Sequence, residues 1–139
     1  MRSMTALASC LVLAAASVVQ PASAQLVPTY TYPGLTWGFS TSHAGFSSCG
    51  TLTLDATGAA GKSNYYSTYG TLYCQSLGGS YASSGNAYFD SAGNFNMTVS
   101  LGVTHNLVCN NLSPSTFTGQ CPIFDNVGNQ TGFAVINLL

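Results

Sequence analysis

Between Asn94 and Thr104, apolar and polar residues alternate along the chain. A period of two places successive side chains on opposite faces of a strand, so this stretch predicts a β-strand with one buried face. The same parity continues to Leu107 and brings His105 onto the apolar face. The residues that we expect to face the interior are Phe95, Met97, Val99, Leu101, Val103, His105 and Leu107.

The remainder of the chain predicts further strands separated by turns. Other predicted strands lie near residues 35–42, 46–54, 59–75, 80–89, 115–124 and 129–138. They bring the count to seven, or to eight if residues 26–32 contribute. Short connections favour an all-β, up-and-down antiparallel meander, and closure into a barrel removes its exposed edges. A two-sheet sandwich is the alternative.

An offset of 35 residues relates the segments 50–84, 85–119 and 120–139, which suggests an internal repeat. The shared order is Leu or Phe, then Asp-x-x-Gly, in LDATG, FDSAG and FDNVG. Asp at the first turn position accepts backbone hydrogen bonds, and Gly at the last adopts a positive φ. The predicted turn residues are Asp55, Gly58, Asp90, Gly93, Asp125 and Gly128.

If the units are equivalent, all three turns lie on one rim of the barrel and His43 lies on the other. A strand of about ten residues spans roughly 33 Å, so we expect no Ser-His-Asp relay between His43 and these aspartates. His105 is interpreted as a hydrogen-bonded core residue. With so few acids and bases, we do not expect an enzyme.

Residues 1–24 have the pattern of a secretory signal peptide, with Arg2, an apolar stretch and Ala22-Ser23-Ala24 before Gln25. The apolar run is shorter than a membrane-spanning helix needs, and we expect no transmembrane helix. The mature chain, residues 25–139, is then one modest β domain. We expect it to be secreted to an extracellular or periplasmic compartment.

Cysteines support the same compartment, since four remain after the leader: Cys49, Cys74, Cys109 and Cys121. An even number in an oxidising environment predicts two disulfides. Cys74 and Cys109 fall on strands separated by a third, about 9 to 10 Å apart and beyond disulfide reach. We therefore expect Cys49 to pair with Cys74 and Cys109 with Cys121. Close C-x-x-C pairs, which zinc sites use, do not occur.

Charge is nearly absent from the predicted mature chain, which has Lys62 as its one cation and three aspartates. Without a basic patch, nucleic acids, anionic membranes and phosphorylated substrates are poor partners. Calcium needs six to eight oxygen ligands, so turn capping explains the aspartates better than a shared ion. We expect no metal and no cofactor.

The C-terminal segment STFTGQCPIFDNVGNQTGFAVINLL resembles the strand-turn-strand segment of avidin-type biotin-binding barrels in FTGQC and the terminal LL. The resemblance covers about 25 residues and implies that Ser115 and Phe117, together with Ser113 just before the segment, occupy ligand-contacting positions. In barrels of that family, the ligand pocket is lined by tryptophan residues. This chain has one Trp, and Asn137 stands where a pocket Trp is expected, so we do not expect biotin as the ligand.

Two functions fit a secreted barrel of this composition. A filled interior favours a non-enzymatic extracellular interaction or self-assembling surface protein, because a Tyr/Ser/Thr/Asn exterior with little charge does not repel copies of itself. A lumen favours a carrier of a small hydrophobic ligand, with His105 as a polar contact. A third alternative is a small outer-membrane barrel, in which the apolar face of residues 95–103 meets lipid.

Overall fold

The computed structural model describes residues 31–58, 62, 64–75 and 79–139, and the predicted signal peptide lies outside them. Its strands are β1 (Thr31–Thr41), β2 (Cys49–Gly58), β3 (Tyr65–Cys74), β4 (Gly79–Phe89), β5 (Phe95–Leu101), β6 (His105–Leu112), β7 (Gly119–Asp125) and β8 (Gln130–Leu138). Each strand pairs antiparallel with its chain neighbours, and β1 pairs with β8 to close a barrel. The predicted fold class is confirmed. In the described ranges, no helix has the length and apolarity needed to cross a bilayer.

The barrel interior is an apolar core built from alternate residues of every strand. On β5, Phe95, Met97, Val99 and Leu101 are buried, as is Leu107 on β6. This confirms the inward face predicted for those residues. The outer-membrane alternative needs the β5 residues to face lipid, whereas here they pack inside the barrel.

The long predicted strand around residues 94–107 is two strands, β5 and β6, joined by a turn. Gly102 in this turn has a φ of 70°, and its N–H donates to the carbonyl oxygen of Ala82 at 3.0 Å. Val103 is 90 % exposed at the tip, so its predicted inward position is wrong. The alternation of residue types continues across the turn and conceals it. The count of eight therefore comes from dividing the predicted strand into β5 and β6. Of the predicted eighth strand at residues 26–32, residues 31 and 32 belong to β1 and residues 26–30 lie outside the described residues.

Because of this turn, every later connection between strands lies on the rim opposite to the predicted one. The connections β1–β2, β3–β4, β5–β6 and β7–β8 form one rim, which we call the histidine rim because it carries His43 and His105. The other connections form the opposite rim. Asp90 follows β4 on the opposite rim, whereas Asp125 ends β7 on the histidine rim. The single shared rim predicted for the aspartates is wrong, because three strands rather than two separate Asp90 from Asp125.

Two of the three predicted Asp-x-x-Gly turns are confirmed. The Asp90 carboxylate accepts hydrogen bonds from the backbone N–H groups of Ala92 and Asn94, at 2.9 and 3.0 Å. Asp125 holds its own turn in the same way, and the closing glycines Gly93 and Gly128 have φ values of 88° and 94°. The 35-residue duplication itself stays a prediction.

The third predicted turn is wrong, because Asp55 and Gly58 lie inside β2. Asp55 pairs with Tyr69 of β3, and its carboxylate accepts the backbone N–H of Gly34 at 2.6 Å. Gly34 lies at a bulge in β1 and has a φ of 65°. Asp55 therefore holds a bulge in the neighbouring strand instead of starting a turn of its own.

Both predicted disulfides are confirmed. Cys49–Cys74 joins β2 to β3, and Cys109–Cys121 joins β6 to β7. All four cysteines are buried, so each bridge staples neighbouring strands from the inside of the barrel. Two buried disulfides are compatible with an extracellular or otherwise oxidising environment.

Candidate functional site

An apolar cavity of about 200 Å³ lies inside the barrel toward the opposite rim. Its wall comes from β1 to β5, from β8 and from the β6–β7 connection. The described residues that line it are Tyr32, Leu35, Trp37, Leu54, Ala56, Tyr66, Thr68, Ala87, Phe89, Phe95, Met97, Phe117 and Leu138. No Asp, Glu, Lys, Arg or His is among them. The site therefore offers a neutral, hydrophobic surface to anything that enters it.

Aromatic rings in edge-to-face contact frame the cavity at its outer end. Phe117 packs against Phe95 and Phe89, with ring centroids 5.0 and 6.1 Å apart. Tyr66 extends the row, with contacts to Phe89 at 6.4 Å and to Tyr32 at 5.8 Å. Such contacts between rings are worth about 0.5 to 1.5 kcal/mol each beyond burial, so they hold the mouth in a defined shape.

Trp37, the single tryptophan of the chain, forms part of the cavity wall and is 2 % exposed. Its indole N–H donates to the carbonyl oxygen of Phe117 at 3.1 Å. The N–H of Phe117 in turn donates to the carbonyl oxygen of Ser113 at 2.7 Å. These bonds fasten the β6–β7 connection across the barrel end.

The segment that resembles avidin-type barrels implied ligand contacts for Ser113, Ser115 and Phe117. Phe117 lines the cavity. Ser113 and Ser115 are exposed, and their hydroxyl oxygens lie 2.8 Å apart in a hydrogen bond that stabilises the loop. Of the three positions, the structure therefore brings one to the cavity.

Among the described residues of the cavity wall, Thr68 is the one with an aliphatic hydroxyl. It is 5 % exposed, and within the described part of the chain its Oγ1 has no hydrogen-bond partner. Ser83 on β4 is also fully buried, and its hydroxyl has no partner among the described residues, but Ser83 does not line the cavity. Two buried hydroxyls without partners are unusual, since leaving such a group unpaired costs about 1 to 3 kcal/mol.

The two hydroxyls occupy diagonal corners of a small block on the inner face of β3 and β4. Thr68 pairs with Gly85, and Gly70 pairs with Ser83. A Cβ at Gly70 would overlap the carbonyl oxygen of Thr53, and one at Gly85 would overlap that of Thr98. Only glycine fits at these corners, because the neighbouring strand backbones occupy the side-chain space.

The predicted lumen residues divide between the two halves of the barrel. Phe95 and Met97 line the cavity, whereas Val99, Leu101 and Leu107 are fully buried in the filled part of the core. His105 lies at the histidine rim and does not line the cavity. Of the residues predicted to face the interior, only Phe95 and Met97 therefore line the cavity.

Sequence reasoning missed most of the wall, including Trp37, Leu54, Ala87 and Leu138. These residues lie in strands where alternation is weaker than in β5. A usable signal was the small size of Ala87, next to Phe89 and Gly85 on the same parity. Two consecutive small residues on the inward parity, beside a large one, leave room in a barrel interior.

Rings close the barrel at the histidine rim. Phe46, in the 3-10 turn Ala44–Phe46, is 3 % exposed and lies 5.3 Å from the ring of His105 and 5.5 Å from that of Tyr81. The His43 ring lies 4.9 Å from Phe46 and 4.7 Å from His105. Access to the cavity is therefore from the opposite rim.

At the histidine rim, the hydrogen bond of the His43 ring defines its protonation state. Its Nδ1 accepts the backbone N–H of Gly45 at 3.0 Å and so caps the 3-10 turn. An acceptor Nδ1 requires the neutral ring. Burial, and then the neighbouring His105, lower the pKa of His43.

Asp125 shares this rim with His43, so the rim argument against a His–Asp relay is wrong. The Asp125 carboxylate instead accepts the side-chain amide of Asn129 at 3.0 Å and the backbone N–H groups of Asn129 and Val127 at 2.8 and 3.0 Å. The Asn129 amide is the main reason that the pKa of Asp125 is lowered. Throughout the described ranges, no group of three or more His, Cys, Asp or Glu could hold a metal ion.

Comparison of the chain with protein-family models, with curated proteins and with solved structures finds no match.

Proposed function

We propose that this protein is a secreted, non-enzymatic carrier that binds one small uncharged hydrophobic molecule in the cavity beside Trp37. The observation that carries the proposal is an apolar interior space of about 200 Å³ in a barrel whose other half is packed. A filled centre would favour a purely structural surface protein, whereas an apolar void with an aromatic mouth favours ligand binding.

The cavity volume limits the size of the ligand. An engineered apolar cavity of about 150 Å³ takes up benzene, while drug-sized ligands occupy pockets of roughly 300 to 1,000 Å³. At about 200 Å³, this cavity suits a molecule with one ring and a few further heavy atoms. An ionised ligand is disfavoured, because burying an unpaired charge in a neutral wall is expensive.

The wall is held in place before any ligand enters. The closed barrel, the disulfide Cys109–Cys121 next to Met97 and the hydrogen bond from Trp37 to Phe117 restrict movement around the cavity. Binding to a preorganised site has a lower ordering cost, so a small ligand retains more of its burial free energy.

Secretion to an extracellular or periplasmic compartment is part of the proposal. Support comes from the signal-peptide pattern of residues 1–24 and from the two disulfides, which oxidising compartments maintain. A carrier of apolar molecules has an evident use in such compartments, where its ligands are poorly soluble.

The proposal is tested by titrating the purified protein with toluene and ethylbenzene while following Trp37 fluorescence. Because Trp37 is the only indole and lines the cavity, saturable binding should change its emission. Ala87→Leu places a larger side chain in the cavity and should abolish the change. Ala82→Leu on the outer face of the same strand is the matched control and should bind normally. Unsaturable signals for both compounds, or equal binding by Ala87→Leu, would contradict the proposal.

An extracellular interaction or self-assembling surface protein is the second candidate, favoured by the outer face. Tyr69 and Tyr73 of β3 are 69 % and 53 % exposed, and Phe133 and Val135 of β8 are also exposed. Charges that usually limit strand-to-strand association are scarce on this face. Sedimentation equilibrium distinguishes the candidates: mass that rises with concentration supports self-association, and a constant monomer mass opposes it.

A further inference from the structure

We infer that the ligand is an aromatic ring, and that the ring of Phe89 in the cavity wall selects it over a saturated ring. The inference rests on the proposed function and narrows its ligand from any small hydrophobic molecule to an aromatic one. Single rings with a short alkyl group belong to this class and suit the cavity volume of about 200 Å³.

Aromatic side chains make up much of the cavity wall and contact one another in a row. Among the thirteen described residues of the wall, six are aromatic. Phe89 lies at the centre of the row, since its ring contacts those of Tyr66, Phe95 and Phe117, with centroids 6.4, 5.3 and 6.1 Å away. The ring planes of Tyr66 and Phe117 are each inclined by 79° to that of Phe89. Edge-to-face packing of this kind brings the positive edge of one ring onto the negative face of the next.

The rings of this row are accessible beside the cavity. Phe89, Tyr66 and Phe117 line the cavity but are only half-buried, so each keeps surface that a ligand can cover. An aromatic ligand extends the edge-to-face row, because its own ring has the same negative face and positive edge. A saturated ring has neither, so it gains from these neighbours only the burial of apolar surface.

The small side chain of Ala87 places free space next to these rings. Ala87 and Phe89 are two residues apart on β4, so their side chains lie on the same face of the strand. Across the strand pair, Ala87 lies opposite Tyr66 of β3. Side chains at such positions are close neighbours, and both rings therefore border the volume that Ala87 leaves unfilled. A molecule in this space contacts Phe89 and Tyr66 directly.

The test compares toluene with methylcyclohexane, which has the same carbon skeleton without the aromatic electrons. Headspace gas chromatography measures how much of each volatile compound a protein solution retains, and so yields both Kd values. Burial alone predicts tighter binding of methylcyclohexane, since its additional hydrogens give it more apolar surface to remove from water. We expect toluene to bind at least as tightly as methylcyclohexane, and tighter binding of methylcyclohexane would overturn the inference.

Phe89→Leu removes the central ring of the row and keeps an apolar side chain. We expect it to weaken toluene binding about two- to tenfold, as the loss of one aromatic contact predicts, and to change methylcyclohexane binding less than twofold. Phe117→Leu removes a neighbouring ring and should act in the same direction. It replaces Phe89→Leu as the test if circular dichroism shows that Phe89→Leu does not fold.

Leu138→Val is the matched control, because it takes a similar volume from the cavity wall without removing a ring. It should leave the ratio of the two Kd values within twofold of the original. If Leu138→Val lowers the preference for toluene as much as Phe89→Leu does, the preference depends on space instead of ring contacts, and the inference is overturned.

Two outcomes separate this inference from the proposed function. If the original protein binds both compounds but the loss of a ring weakens both equally, or weakens neither, the aromatic class and the role of Phe89 are overturned while the carrier proposal stands. If the original protein binds neither compound, the carrier proposal itself fails and the inference fails with it.

Discussion

The indole N–H of Trp37 on β1 donates to the carbonyl oxygen of Phe117, a residue 80 positions further along the chain, at 3.1 Å. Phe117 has a φ of 50°, which non-glycine residues rarely adopt. The bond therefore helps to hold an unfavourable backbone conformation at the point where the β6–β7 connection meets the cavity. The Trp37 side chain thus forms part of the cavity wall and also holds the β6–β7 connection at the mouth of the cavity.

Trp37→Phe should destabilise the protein by about 2 to 4 kcal/mol, since it removes a buried hydrogen bond and enlarges the cavity. Urea unfolding followed by circular dichroism measures the change, because the variant has no tryptophan fluorescence. Phe133→Leu on the exposed side of β8 is a control for aromatic loss and should change stability by less than 0.5 kcal/mol. Equal stability of Trp37→Phe and the original protein would contradict the role given to this bond.

Filling the cavity should stabilise the ligand-free protein. Ala87→Leu adds apolar volume to an existing void, so we expect a gain of about 0.5 to 2 kcal/mol in the free energy of unfolding. Thermal unfolding without ligand provides the measurement, with Ala82→Leu on the outer face as the control. A loss of stability in Ala87→Leu would mean that the space is smaller or more rigid than described.

Removing either unpartnered hydroxyl should raise stability. Thr68→Val and Ser83→Ala each eliminate a buried group that has no hydrogen-bond partner in the described residues. Since such a group costs about 1 to 3 kcal/mol, each variant should unfold several degrees higher than the original protein. If both variants unfold at lower temperature, the hydroxyls have partners that stabilise the fold.

Stability should fall as the pH is lowered through the ordinary titration range of histidine. Because the pKa of His43 is lowered in the folded state, the unfolded chain binds more protons between that lowered pKa and about 6.5. Its contribution to stability is therefore complete above about pH 6.5 and declines below it. Protonation at Nδ1 would also break the bond from the Gly45 N–H.

His43→Asn tests this explanation, because asparagine keeps a cap acceptor but does not titrate in this range. Urea unfolding at several pH values between 7.5 and 5 should show a smaller decline for the variant than for the original protein. Identical pH dependence of the two proteins would assign the decline to other groups.

The two disulfides should differ in their contribution to stability. Cys49–Cys74 spans 25 residues and Cys109–Cys121 spans 12, so the first restricts the unfolded chain more. A doubling of loop length adds about 0.6 kcal/mol to the entropy term, within a usual range of 2 to 4 kcal/mol per bridge. Denaturant unfolding of the two paired Cys→Ala variants should place the Cys49/Cys74 variant lower, and the reverse order would contradict the argument.

The sequence predicted the closed meander, both disulfides and the inward face of β5, because these depend on local periodicity and on the spacing of cysteines. It did not predict the turn at Gly102, since Leu101 and Val103 continue the apolar parity across it. A glycine within a strongly alternating stretch was the available signal. That single turn reverses the rim of every later residue, which is why Asp125 lies near His105 instead of near Asp90.

The cavity was harder to predict than the fold, because it depends on how side chains from separate strands fill the interior. Phe95 and Met97 were found through their alternation, but Trp37 and Leu138 meet the cavity only once β1 and β8 pair. That the Thr68 hydroxyl has no partner among the described residues likewise appears only after the strands are closed. The pattern of residue types along the sequence does not show how much volume the side chains leave unfilled inside the barrel.

The most direct measurement of the central claim is a crystal structure of the protein soaked with toluene. We expect electron density for one ring inside the barrel, in contact with Trp37 and Met97, with the barrel backbone unchanged. An interior filled by side chains, or toluene bound only on the outer surface, would contradict it.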